Sequence, residues 1–306
     1  MAEIIQRTGT WTFDGETVRI VPATDKHVHP LRKSLGEVAV PLRAVSSVAY
    51  EPGRKGGRLR LRLREGADPL AQVASGRLPD ASDPYQLPVE RDREGVAEYL
   101  VEELRRALLL DEVPDTPCDR FLLPGPAVPL SAGGTDGAVS FDGERVQLKW
   151  NWMASESKSH AGAREFTLAE LDGVEWTPAL GWENGSLRFI PKGRHPVLKP
   201  EHDPNCLMLW GIRQARETGG SVLLAAAVTA RLPHPAAAHS SRGRTDEAAL
   251  SLDKGKEASD GAAGAGAASD HDGLLRRLRE LGELHREGVL TDEEFATAKK
   301  AVIGRF

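Results

Sequence analysis

Apolar and polar residues alternate through much of the first two thirds of the chain. Trp11 and Phe13 precede the dipeptide Asp14-Gly15, and Val18 and Ile20 follow it. The alternation puts one face of each strand on a core and Asp-Gly supplies the turn, so the stretch predicts a β-hairpin. Leu59, Leu61 and Leu63 alternate with Arg58, Arg60, Arg62 and Arg64, which predicts a strand with leucines on one face and guanidiniums on the other. The period then lengthens. Val96, Leu100, Leu104, Ala107 and Leu108 form a helical stripe within 95–108, and Pro114 and Pro117 end it.

The same order of elements recurs. Phe-Asp-Gly-Glu begins at Phe13 and again at Phe141, 128 positions on, with Val146 and Leu148 in the places of Val18 and Ile20. Val40-Pro-Leu-Arg-Ala-Val45 is echoed by Phe166-Thr-Leu-Ala-Glu-Leu171, and Val48-Ala-Tyr50 by Val174-Glu-Trp176, both 126 positions on. Gly57-Arg-Leu-Arg-Leu61 returns as Gly185-Ser-Leu-Arg-Phe189, and an Asp-Pro step stands at Asp83 and at Asp203. So many matches in order mark a tandem duplication. The second copy closes with a strand over 206–212 and a helix over about 214–231, weakened by Gly219-Gly220 and stopped by Pro233. Strands closed by one terminal helix give an α+β unit in which the helix plugs a curved antiparallel sheet.

Composition then divides the chain. The first repeat covers 1–113 and the second 136–233; five prolines and Gly133-Gly134 make 114–135 a semi-rigid spacer. From 234 to 272 the sequence thins to Ala, Gly, Ser, Asp and Lys, with Leu250 and Leu252 its larger apolar residues, which predicts disorder. The last segment, 273–306, turns amphipathic: Leu274, Leu278, Leu281 and Leu284 form a stripe, Gly288 fits a helix C′ position, and Thr291 with Glu294 makes a capping box. Leu290, Phe295 and Val302 carry the apolar side onward. A helical hairpin of that size buries too little surface to stand alone, so a protein partner or a second copy must cover the stripe.

The tail Leu281-Gly-Glu-Leu-His-Arg-Glu-Gly-Val-Leu-Thr-Asp-Glu-Glu-Phe295, followed by Lys299-Lys300, resembles the bacterial short C-terminal domain (SHOCT). That resemblance implies a role in oligomerisation or interaction. The repeats, through Phe13-Asp14-Gly15, Phe141-Asp142-Gly143 and the Gly-x-Leu-x-Leu/Phe strand, resemble the actinobacterial domain of unknown function number 4429, which occurs in tandem ahead of such tails. The resemblance implies a fold like a pleckstrin-homology (PH) barrel and no particular activity.

Charge and chemistry narrow the function. With 40 basic and 45 acidic residues the net charge is −5, which argues against a general nucleic-acid coat. The most apolar run, 221–228, is far short of a membrane span, and Met1–Arg7 lacks the pattern of a secretory signal. Two cysteines, Cys118 and Cys206, point to a reducing cytoplasm. His27-x-His29 lacks a third ligand, Gly133–Gly137 lacks the Lys-Ser/Thr of a phosphate loop, and no nucleophile, base and orienting group converge; no catalytic residue, metal or cofactor is assigned. Two surfaces invite a binding reading. Arg58, Arg60, Arg62 and Arg64, about 6.6–6.8 Å apart along a strand, suit an anion, with Lys26, His27, His29, Arg32 and Lys33 adjoining; the alternative is a solvated face paired with neighbouring acids. Trp150, Trp152, Trp176, Trp182 and Trp210 would line a ligand groove or fill a core, with Trp182 the one placed for exposure and Trp150 and Trp152 on one strand face. The sequence therefore describes a non-enzymatic binding and assembly protein, two β-rich modules carrying an oligomerisation hairpin. The alternative is a peripheral anionic-lipid module at the inner face of the membrane, using Arg58–Arg64.

Overall fold

The computed structural model describes residues 1–236, except 55, 181–182, 194–195, 197 and 211–213, with the side chains of 214–218 also left aside. The first repeat contains a four-stranded antiparallel sheet, β1 (Ala2–Gln6), β2 (Gly9–Phe13), β3 (Thr17–Pro22) and β4 (Val38–Pro41), with helix α1 (Pro30–Leu35) between β3 and β4. A three-stranded antiparallel sheet follows: β5 (Val45–Gly53), β6 (Gly56–Leu63) and β7 (Gln86–Glu90), with α2 (Pro69–Ala74) before β7. Helix α3 (Glu94–Leu110) closes the unit.

The second repeat copies this plan except that, among the described residues, no helix answers to α2. Strands β8 (Leu130–Gly133), β9 (Gly137–Phe141), β10 (Arg145–Trp150) and β11 (Arg164–Thr167) form one sheet, with α4 (Glu156–Ala161) between the last two. Strands β12 (Leu171–Thr177), β13 (Gly185–Pro191) and β14 (Cys206–Leu209) form the other, and α5 (Gln214–Thr229) closes it. The register explains the shared sequence. Ala2, Phe13, Val18 and Val40 line up across the first sheet, and Leu130, Phe141, Val146 and Phe166 take the same row in its counterpart. Asp14 and Asp142 each accept two backbone N–H bonds across the turn, from Glu16 and Thr17 and from Glu144 and Arg145. The glycines that follow, Gly15 at φ 113° and Gly143 at φ 116°, hold a backbone shape that side chains resist.

The fold is α+β and PH-like, but its sheets stay open. No ladder joins β1 to β7 or β8 to β14. Single bonds bridge the seam instead: Gln6 Oε1 accepts the Glu90 N–H at 3.1 Å, Asp136 Oδ1 accepts the Met208 N–H at 3.0 Å, and the Thr135 N–H donates to Met208 O at 2.8 Å. A side-chain acceptor occupies the N–H that a barrel would pair with backbone.

The two closing helices live in different surroundings. Helix α3 buries Ala97, Leu100, Val101 and Leu104 and leaves Tyr99, Leu109 and Leu110 exposed. Residues 221–228 of α5 are buried without a break. One side of α5 packs on β8 and β12, the other on α1 and α2 of the first repeat, so Leu31, Leu70 and Val73 share a core with Phe141, Trp176 and Leu224. Helix α5 comes close to α1 at Gly219, where a Cβ would lie in van der Waals contact, 3.4 Å from the Leu31 backbone.

The stretch expected to act as a spacer is packed. Cys118 N–H donates to Glu65 O at 2.8 Å, and the Leu122 and Leu123 N–H groups both donate to Ala67 O. Its final residues form β8, and the Phe121 ring meets His234, just beyond α5, edge-on at 4.6 Å. Prolines keep this segment extended, and an extended strand lying along a surface finds backbone partners there.

Candidate interaction surfaces

The apolar stripe Leu274, Leu278, Leu281, Leu284, Leu290, Phe295 and Val302, with Gly288, Thr291 and Glu294, lies outside the described residues, as do Trp182 and the stretch read as disordered beyond Ala236.

The arginine row is within view. Arg58 bonds Asp80 and donates to Gln86 Oε1 at 3.0 Å. Its contact holds the Asp80 carboxyl below the usual carboxylate range. Arg60 lies 3.4 Å from Glu51, and Arg64 donates to the carbonyls of Thr116 and Arg43. Arg62 is exposed. Three of the four guanidiniums thus have partners of their own. Arg32 does not adjoin the row as a surface cation, because it is 5% exposed. His29 caps α1, its Nδ1 accepting the Leu31 N–H at 3.2 Å, while His27 is exposed. Among the described residues no three His, Cys, Asp or Glu side chains gather to hold a metal, and no helix is long and apolar enough to cross a membrane.

The tryptophans divide. Trp176 is fully buried and donates to Ser221 Oγ at 3.0 Å; Trp210 is buried; Trp150 is half-buried and donates to Gly162 O at 2.8 Å. Trp152 is 80% exposed and does not share a strand face with Trp150, because β10 ends at Trp150 and the chain turns. Burial also raises the Cys206 thiol to about 11, so it is a poor nucleophile near neutral pH.

One polar cluster escaped the sequence reading. Lys158 on α4 is fully buried, its Nζ 2.5 Å from Asp136 Oδ2, 2.6 Å from Cys206 O and 5.0 Å from the Trp150 ring centre. With Asp136 also taking the Met208 N–H, carboxylate and ammonium are both satisfied, as a buried ion pair requires. The signal was available: Lys158 stands 126 positions after Arg32, the spacing that relates Val40–Val45 to Phe166–Leu171 just beyond it.

Comparison with known proteins agrees with this organisation. The model for the short C-terminal domain (SHOCT) matches residues 276–302. No curated protein matches the chain. The model for the domain of unknown function DUF4429 matches 11–105 and 139–229, the two repeats, which together make up more than half of the 306 residues, and the chain belongs to that family.

Proposed function

We propose that this chain is a non-enzymatic binding and assembly protein acting in the cytoplasm, its two repeats presenting surfaces and its C-terminal segment joining copies or partners. The observation that carries this reading is the short C-terminal domain match at 276–302, laid over a stripe of leucines and a phenylalanine too small to bury itself. Joining weak surfaces through such a segment raises effective concentration without new chemistry. The rival reading, an anionic-lipid face on Arg58–Arg64, has less behind it, since Arg58, Arg60 and Arg64 are engaged within the fold.

Deleting 274–306 is expected to reduce the molar mass measured by light scattering at least twofold while leaving the melting of the repeats unchanged. An unchanged mass overturns the proposal.

A further inference from the structure

Setting the two seams side by side exposes a mismatch. In the second repeat the carboxylate of Asp136 is held by Lys158 and by the Met208 N–H. The first repeat has Arg32 in the place of Lys158, at the third residue of the equivalent helix, and Thr8 in the place of Asp136. Pro88, which pairs with Arg58 as Met208 pairs with Ser186, replaces the N–H donor with a residue that has none. The cation is retained and the carboxylate is gone.

Arg32 is 5% exposed, its Nη2 is shut off from solvent without a hydrogen-bond partner, and among the described residues no carboxylate forms an ion pair with its guanidinium. Burial lowers its pKa, and the charge of Asp83 partly offsets this. Asp83 lies beyond ion-pair reach and already accepts from the Tyr85 N–H at 2.9 Å and from Gln86 Nε2 at 2.7 Å. His29, on the same helix, brings no anion. Two more donors of this seam, Thr8 Oγ1 and Gln6 Nε2, are also buried without partners. Gln6, Arg7, Glu51, Arg54, Pro88 and Glu90 line an open cleft of about 600 Å³ that meets the seam at Gln6, Pro88 and Glu90. A buried cation without a counter-charge is strongly unfavourable, and native folds satisfy such groups.

We propose that the seam of the first repeat is an anion site, in which a small soluble oxyanion takes the place that the Asp136 carboxylate fills in the second repeat. Arg32 supplies the charge, Thr8 and Gln6 donate hydrogen bonds, and Gln6 is the one of the three that also lines the cleft. A lipid phosphate offers the same chemistry, but a headgroup held at a membrane surface does not reach a guanidinium at this depth, so the occupant is free in solution.

The test is thermal melting of the full chain in millimolar sodium phosphate against sodium chloride at matched ionic strength. A ligand that binds the native state alone raises Tm by about 2–5 °C for each tenfold of phosphate above its dissociation constant. Thr8→Asp, which supplies the missing carboxylate, is expected to raise Tm in chloride and to abolish the phosphate response; Arg32→Gln is expected to abolish the response as well. No phosphate-specific shift overturns the site, as does a shift that survives Thr8→Asp. A Thr8→Asp chain that fails to fold counts against it too, because the second repeat accommodates that carboxylate. Flotation on phosphatidylglycerol vesicles without a response to phosphate would replace the soluble ligand with a membrane and so refute the proposal.

Discussion

At the scale of single residues, short polar side chains do much of the local work. One oxygen of Asp14 and one of Asp142 take two backbone N–H groups each, and these bonds hold both carboxyls below the usual range. His29 plays a similar part with a group that titrates near neutrality. Burial first, and then the charge of Arg32, lower its pKa from 6.5. The unfolded chain therefore binds this proton more tightly than the folded one. The stabilising contribution is complete above the unfolded value and is lost as pH falls through it toward the depressed folded value. His29→Asn keeps an acceptor at the cap and removes the titration. Between about pH 7 and pH 5, wild type should lose up to about 1 kcal/mol relative to the variant in urea titrations, the usual worth of an N-cap. Parallel pH profiles would refute this role.

At the scale of elements, the two closing helices show what a sequence reveals and what it hides. The stripe on α3 is legible because only one side is covered, and periodicity reports one-sided burial. The run 221–228 in α5 reads only as strongly apolar, because a helix covered on every side has no preferred face. Its partners were harder still to see: α1 and α2 span six residues each, too short for any period to emerge. The seams were hidden for another reason, since Asp136 and Lys158 are 22 positions apart and only the fold brings them together. The hairpins, the Asp-Gly turns and the repeat itself were legible because each rests on neighbours in sequence. The contrast between helices has a measurable form. Leu224→Ala, in the middle of α5 and 0% exposed, should cost about 2–5 kcal/mol in urea unfolding. Leu109→Ala, at the 83% exposed end of α3, should stay within about 0.5 kcal/mol. Equal losses would contradict the enclosed position of α5.

At the scale of the whole molecule, the shared core joins two repeats that sequence alone presents as beads on a string. The first repeat has a core of its own, but Leu31, Leu70 and Val73 contribute to a second core built largely by the second repeat, which joins the two units. Calorimetry of the full chain should therefore find the repeats melting in one transition, with calorimetric and van't Hoff enthalpies equal. Two resolved repeat transitions would show that the shared core is not cooperative. The joint is also directional: the terminal helix of the second copy inserts beside α1 and α2 of the first. Head-to-tail contacts of that kind run on into filaments unless something halts them. Among the described residues between β13 and β14 no helix stands where α2 stands in the first copy, so the second copy offers a further closing helix only α4 where the first offers both α1 and α2.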